Sequence, residues 1–146
     1  MDKMIKKFVI IGSSTFRKEK IKIRDELIGL GYGAIIDPVC ESIANGKNPE
    51  LAKRVEIEPS SVKKEYDFVR WYFEEIKKSD GVVVVNPNKK GMGGYIGANS
   101  FLEIGYAHAL KKKIYLLYKI PNQEYINDEL KSFNIIELNE DLSLIK

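Results

Sequence analysis

Residues 82–85 are four consecutive valines, introduced by Gly81 and followed by Asn86. A β-branched run without polar alternation suits a strand covered on both faces, and such strands belong to parallel sheets layered between helices. The chain repeats the arrangement. Residues 7–11 read as a first strand stopped by Gly12, residues 33–36 as a second ended by Asp37 and Pro38, residues 81–85 as the third, 114–118 as the fourth and 134–138 as a short fifth. Amphipathic helical segments lie between them: 17–30, closed by Gly31; 61–78, with Val62, Phe68, Trp71, Tyr72, Phe73 and Ile76 as its apolar surface; 98–110; and 124–131. This alternation predicts a parallel sheet wound on both faces, because each right-handed crossover returns a helix onto the sheet. Residues 38–61 mix Pro, Gly, Asn, Ser and charges around a short helix at 49–55, with Pro59 as a breaker. An insertion of this length at the carboxyl edge of a sheet is either a lid or a solvated loop.

A chain of 146 residues is long enough for one domain with a core that needs no covalent staples. The formal net charge is +3, with basic residues scattered through 3–7, 18–22 and 111–113 and no arginine-rich stripe interleaved with aromatics. That speaks against a nucleic-acid polymer as partner and suits a small anionic ligand. Lys111 to Lys113 follow a helix, where cations favour the macrodipole and need no ligand. Cys40 is the sole cysteine, which excludes an intramolecular disulfide and a multi-cysteine zinc site, and it reads as a small buried apolar group. His108 has no second His or Cys at ligand spacing, so no metal is expected there, and it reads as a helix-surface or core histidine. No other cofactor is expected. The apolar run before Gly12 is too short for a secretory segment, and nothing approaches the ~20 apolar residues of a membrane span. The expectation is a cytoplasmic protein without membrane contact.

Chemistry concentrates at the carboxyl ends of the first and third strands. Glu103 is the only Asp or Glu between Asp80 and Glu124, and it stands in an otherwise apolar helix with Phe101, Leu102, Ile104, Ala107 and Leu110. In α/β sheets ligands collect beyond the strand carboxyl ends, where loops turn into helix N-termini. Glu103 is therefore a candidate nucleophile or acid–base group, the alternative being a carboxylate that reaches solvent or caps backbone. Burial opposes its ionisation and a Gly-rich, helix-terminal setting favours it. Tyr106, in helical spacing, either bonds the carboxylate or packs. The loop before this helix offers Asn86, Tyr95 and Asn99 as neutral hydrogen-bonding groups, with Gly97 among its glycines, and such groups suit sugar hydroxyls. It does not fit a dinucleotide fingerprint, because Ile96 stands where the last Gly is required. The first turn, Gly12-Ser13-Ser14, lets backbone amides and hydroxyls approach an anion, or is simply a tight turn with a serine cap. Phe16 beside it either shows a ring face to a flat ligand or belongs to the core.

Three stretches together carry a resemblance: Gly12-Ser13-Ser14; Ser79-Asp80-Gly81, the valine run and Asn86; and residues 95–107, in which Glu103 is followed by Ile104-Gly105-Tyr106-Ala107. In these the chain resembles the nucleoside 2-deoxyribosyltransferase-like superfamily, which includes deoxyribosyltransferases and nucleoside 5′-monophosphate N-glycosidases. The resemblance implies an α/β, flavodoxin-like or Rossmann-like doubly wound five-stranded parallel sheet in a single domain over 1–146. It implies cleavage or transfer at the N-glycosidic bond of a nucleoside or nucleotide with Glu103 as nucleophile, and a homodimer or larger whose subunits complete each other's pockets. A block of aromatic surface at 68–73 and a Glu103 helix that is apolar around most of its circumference point the same way. Six residues before the nucleophile, where deoxyribosyltransferases carry a carboxylate, this chain has Gly97, with Asn99 the nearest polar residue. A second family aspartate, in the helix before the third strand, has no clear counterpart; Tyr72 and Asp67 lie near its place. Two other classes stay open, an NAD glycohydrolase-like enzyme and a nucleotide-binding module without catalysis.

Overall fold

A computed structural model of the protein describes residues 4–146. Its strands form where the chain is most apolar: β1 (Lys7–Ile11), β2 (Gly33–Ile35), β3 (Gly81–Val84), β4 (Lys113–Leu116) and β5 (Ile135–Glu137). They make one all-parallel sheet in the order β2-β1-β3-β4-β5, the flavodoxin-like arrangement expected from the sequence. Val9 pairs with Ile35 on one side and Val82 on the other, and Val83 pairs with Tyr115. Alternate residues of a strand point to opposite faces, so the valine run feeds two cores at once. Val83 and Val85 join Phe8, Ile10, Ile23 and Leu27 on one face; Val82 and Val84 join Ile11, Ile76, Ile104 and Leu130 on the other. Because both faces are covered, no polar alternation appears.

The described residues form seven α-helices: α1 (Arg17–Gly29), α2 (Pro38–Ala44), α3 (Pro49–Ile57), α4 (Pro59–Tyr66), α5 (Phe68–Lys78), α6 (Ala98–Ala109) and α7 (Asn127–Ser132). None is long and apolar enough to cross a membrane among the described residues. Residues 38–61, expected as a lid or loop with one short helix, instead hold α2, α3 and the start of α4. The reason lies in the prolines. Asp37 accepts a hydrogen bond from the Cys40 amide at 2.8 Å and caps α2, with Pro38 at its first turn; Asn48 and Pro49 do the same for α3, and Pro59 opens α4. Proline fixes φ and lacks the amide that a first turn leaves unpaired, so each opens a helix.

The single helix expected over 61–78 is two helices. Asp67 between α4 and α5 adopts φ 50°, ψ 46°, a left-handed conformation that Asp tolerates better than most residues, and Arg70 donates to its carboxylate at 2.7 Å. The break lets α4 contact α3 while α5 packs on β1 and α6. Other element ends differ from expectation by a few residues.

Candidate functional site

In this strand order β1 and β3 are neighbours, yet α1 after β1 packs on one face and α6 after β3 on the other. Their connections part above the sheet and open a crevice. Gly12 makes the first connection possible. It has φ 155°, and a Cβ there would stand 2.6 Å from the Val85 carbonyl oxygen, so only glycine lets the turn run this close to the end of β3. Ser13 accepts from the Thr15 amide at 3.3 Å, which shapes the turn while Ser14 stays exposed.

The connection after β3 is fixed by Asn86. Its amide nitrogen donates to Gly94 (3.3 Å) and Lys119 (3.1 Å) carbonyls, and its oxygen accepts from the Tyr118 amide at 3.0 Å. Gln123 holds Ile96 through its backbone amide and carbonyl at 3.0 and 2.8 Å. Pinned in this way, the loop delivers α6 with Gly97 at its N-cap and Glu103 in its second turn.

Between these connections lies a cavity of about 290 Å³, near the lower end of the range for small-molecule sites. It gathers Gly12, Ser13, Ser14, Tyr95, Gly97, Asn99 and Glu103 from the residues singled out in the sequence. Two of them are not there. Phe16 is a core residue, packed in the same layer as Ile10 and Leu27, because its turn points the ring under α1 rather than into the crevice. Asn86 is completely buried with all its polar groups engaged, so it holds the loop and has nothing to offer a ligand.

Glu103 is 6% exposed, lines the cavity and has no hydrogen-bond partner among the described residues. Burial pushes its carboxyl up to about 8; the charge of Asp37 adds to the rise, while Lys20 and Lys63 oppose it. Tyr106 leaves the acid alone and stacks on Phe73, with ring centroids 4.5 Å apart. Three further groups reach the cavity that were not among the candidate site residues, although Tyr72 was noted near the place of a family aspartate. Asp37 stands there with Tyr72, whose hydroxyl donates to it at 2.6 Å. Burial, then the Asp37 charge, holds the Tyr72 phenol well above its ordinary range. Lys20 is 4% exposed; its ammonium donates to the Gly12 carbonyl at 3.2 Å and pairs with no carboxylate among the described residues.

The helices of residues 38–66 supply an apolar wall, including Val39, Ile43 and Val62, together with Cys40. Burial pushes the Cys40 thiol up, which leaves it a small apolar group and a poor nucleophile. Arg17 and Lys63 add positive charge to the lining. His108 is exposed and stacks on Phe133 at 4.0 Å, and no three His, Cys, Asp or Glu side chains gather at one point among the described residues. Compared with family models, curated proteins and solved structures, the chain matches none.

Proposed function

We propose that the protein cleaves or transfers at the N-glycosidic bond of a nucleoside or nucleoside 5′-monophosphate, with Glu103 as the nucleophile. The observation that carries this reading is the presence, in the lining of one cavity, of a buried carboxyl with no hydrogen-bond partner and a buried ammonium with no carboxylate partner among the described residues. Each is costly to bury alone, and each is useful to a ligand of opposite character. Lys20, with the Ser13 and Ser14 turn and Arg17, suits a phosphate; Glu103 suits an electron-poor anomeric carbon. In the reaction a Glu103 oxygen bonds to that carbon as the bond to the base nitrogen breaks. The base leaves with the bonding pair and takes up a proton. Water or an acceptor base then attacks the same carbon and frees the carboxylate, so configuration is retained overall. Asn99 and Tyr95 are neutral partners for the sugar hydroxyls.

One observation favours a second reading, a nucleotide-binding module without turnover. With its carboxyl pushed up to about 8, Glu103 is mostly neutral near neutral pH in the empty cavity. Free base released from nucleosides or nucleotides supports the enzyme; tight binding with no release supports the module. We also propose a homodimer. Trp71, Phe73, Phe101 and Tyr106 are only half-buried on the packed pair α5 and α6, and Leu102 beside them is 53% exposed. Light scattering at micromolar concentration tests it, and an active monomer would overturn it.

A further inference from the structure

The part of the cavity built by α2 to α5 is mostly apolar, lined by Val39, Ile43, Val55, Val62, Phe68 and Val69, with Lys63 and Asp37 among them. Asp37 is 9% exposed and held at both oxygens: the Cys40 amide donates to Oδ1 at 2.8 Å and the Tyr72 hydroxyl to Oδ2 at 2.6 Å. A carboxylate offers about four acceptor positions, so each oxygen keeps one. Both protein contacts are donated to it, which makes Asp37 a rigid acceptor whose orientation is fixed from two helices. A mostly apolar chamber with one fixed acceptor in its lining suits a heterocycle that carries N–H donors.

We propose that Asp37 selects the base: the chamber takes a purine-sized or smaller aromatic ring, and the free acceptor positions of Asp37 take an exocyclic amino group and any N–H beside it. The inference rests on the reading that a nucleoside-type ligand occupies the cavity, and it adds which bases fit. A base that turns a carbonyl oxygen to Asp37 meets an acceptor with an acceptor, and a base with only carbon there leaves the carboxylate unpaired. Both are penalised.

The test compares 2-aminopurine with unsubstituted purine by calorimetry, on the intact protein and on Asp37→Asn. Asparagine still caps α2, so the variant keeps the helix that Asp37 opens. The expected result is binding of 2-aminopurine roughly ten- to a hundredfold tighter than purine by wild type, the range for a hydrogen bond to a charged group, and loss of that preference in Asp37→Asn. Equal affinities in wild type overturn the assignment whether or not the variant folds. So does a preference that survives in Asp37→Asn, or failure of wild type to bind either purine. Base release without any amino preference removes Asp37 and leaves the glycosidic reading standing; an amino preference without base release does the reverse.

Discussion

Tyr72 donates its hydroxyl hydrogen to Asp37 across 2.6 Å, tying α5, which packs on the sheet, to the residue that caps α2. The apolar wall of the cavity is thereby fastened to the frame that carries Glu103. A helix of seven residues has little stability of its own, so its position depends on such contacts.

Replacing Tyr72 with Phe removes this hydrogen bond and keeps the ring. The expected loss is about 1.5–3 kcal/mol, the cost of a buried hydrogen bond to a charged group. Urea unfolding measures it. A variant as stable as wild type would show that the pair does not hold the wall.

Glu103→Gln should stabilise the protein, and more so as pH rises. The carboxyl is raised from its ordinary 4.5 to about 8 by burial, so the unfolded chain loses this proton first. Stability from the protonated form is complete below the lower value and drains away as pH climbs to the upper one, by an amount on the order of a few kcal/mol. Glutamine does not titrate and escapes the loss. Melting temperatures of the two proteins should lie close near pH 4 and separate by several degrees near pH 8; a constant gap would mean that Glu103 is not desolvated.

How much of this was legible beforehand differs from feature to feature. The strands and the parallel, doubly wound sheet follow from apolar runs separated by crossover-length segments, and the valine run alone calls for two covered faces; the strand order does not follow from them, since flavodoxin-like and Rossmann-like sheets share that alternation. The signal for α2 was also present, since Asp37 followed by Pro38 is a cap and a first turn; read as the end of a strand, it hid both the helix and the second carboxylate of the cavity. Lys20 was not legible. It sits among Lys18 and Lys22, both exposed, and only the packing of α1 over Gly12 buries it. The left-handed Asp67 was hidden as well, because apolar residues recur across it at helical spacing and the break is settled by what α4 and α5 each pack against. Phe16 was open between ligand and core, and burial beneath α1 decides it.

Lys20→Met should weaken binding of inorganic phosphate at least tenfold and push Glu103 further up. The buried ammonium donates to the Gly12 carbonyl and pairs with no carboxylate among the described residues, and it is the largest influence holding the Glu103 rise in check. Calorimetry with phosphate reads the first effect and a carboxyl ¹³C titration the second. Unchanged values in both would leave Lys20 a structural residue.

The direction of the pH profile separates two chemical roles for Glu103. A nucleophile must be ionised, so kcat/KM should rise with pH and level off above about 8. A proton donor gives the mirror image, a fall through the same range, and that outcome would assign the acid role instead.

The most direct measurement is chromatographic detection of free base from a panel of nucleosides and nucleoside 5′-monophosphates, with wild type and Glu103→Ala in parallel. The expected result is base release by wild type from at least one member, and release lower by orders of magnitude in a folded Glu103→Ala protein, as loss of a covalent nucleophile requires. Equal release by the variant, or none by wild type from any member, would contradict a glycosidic reaction at Glu103.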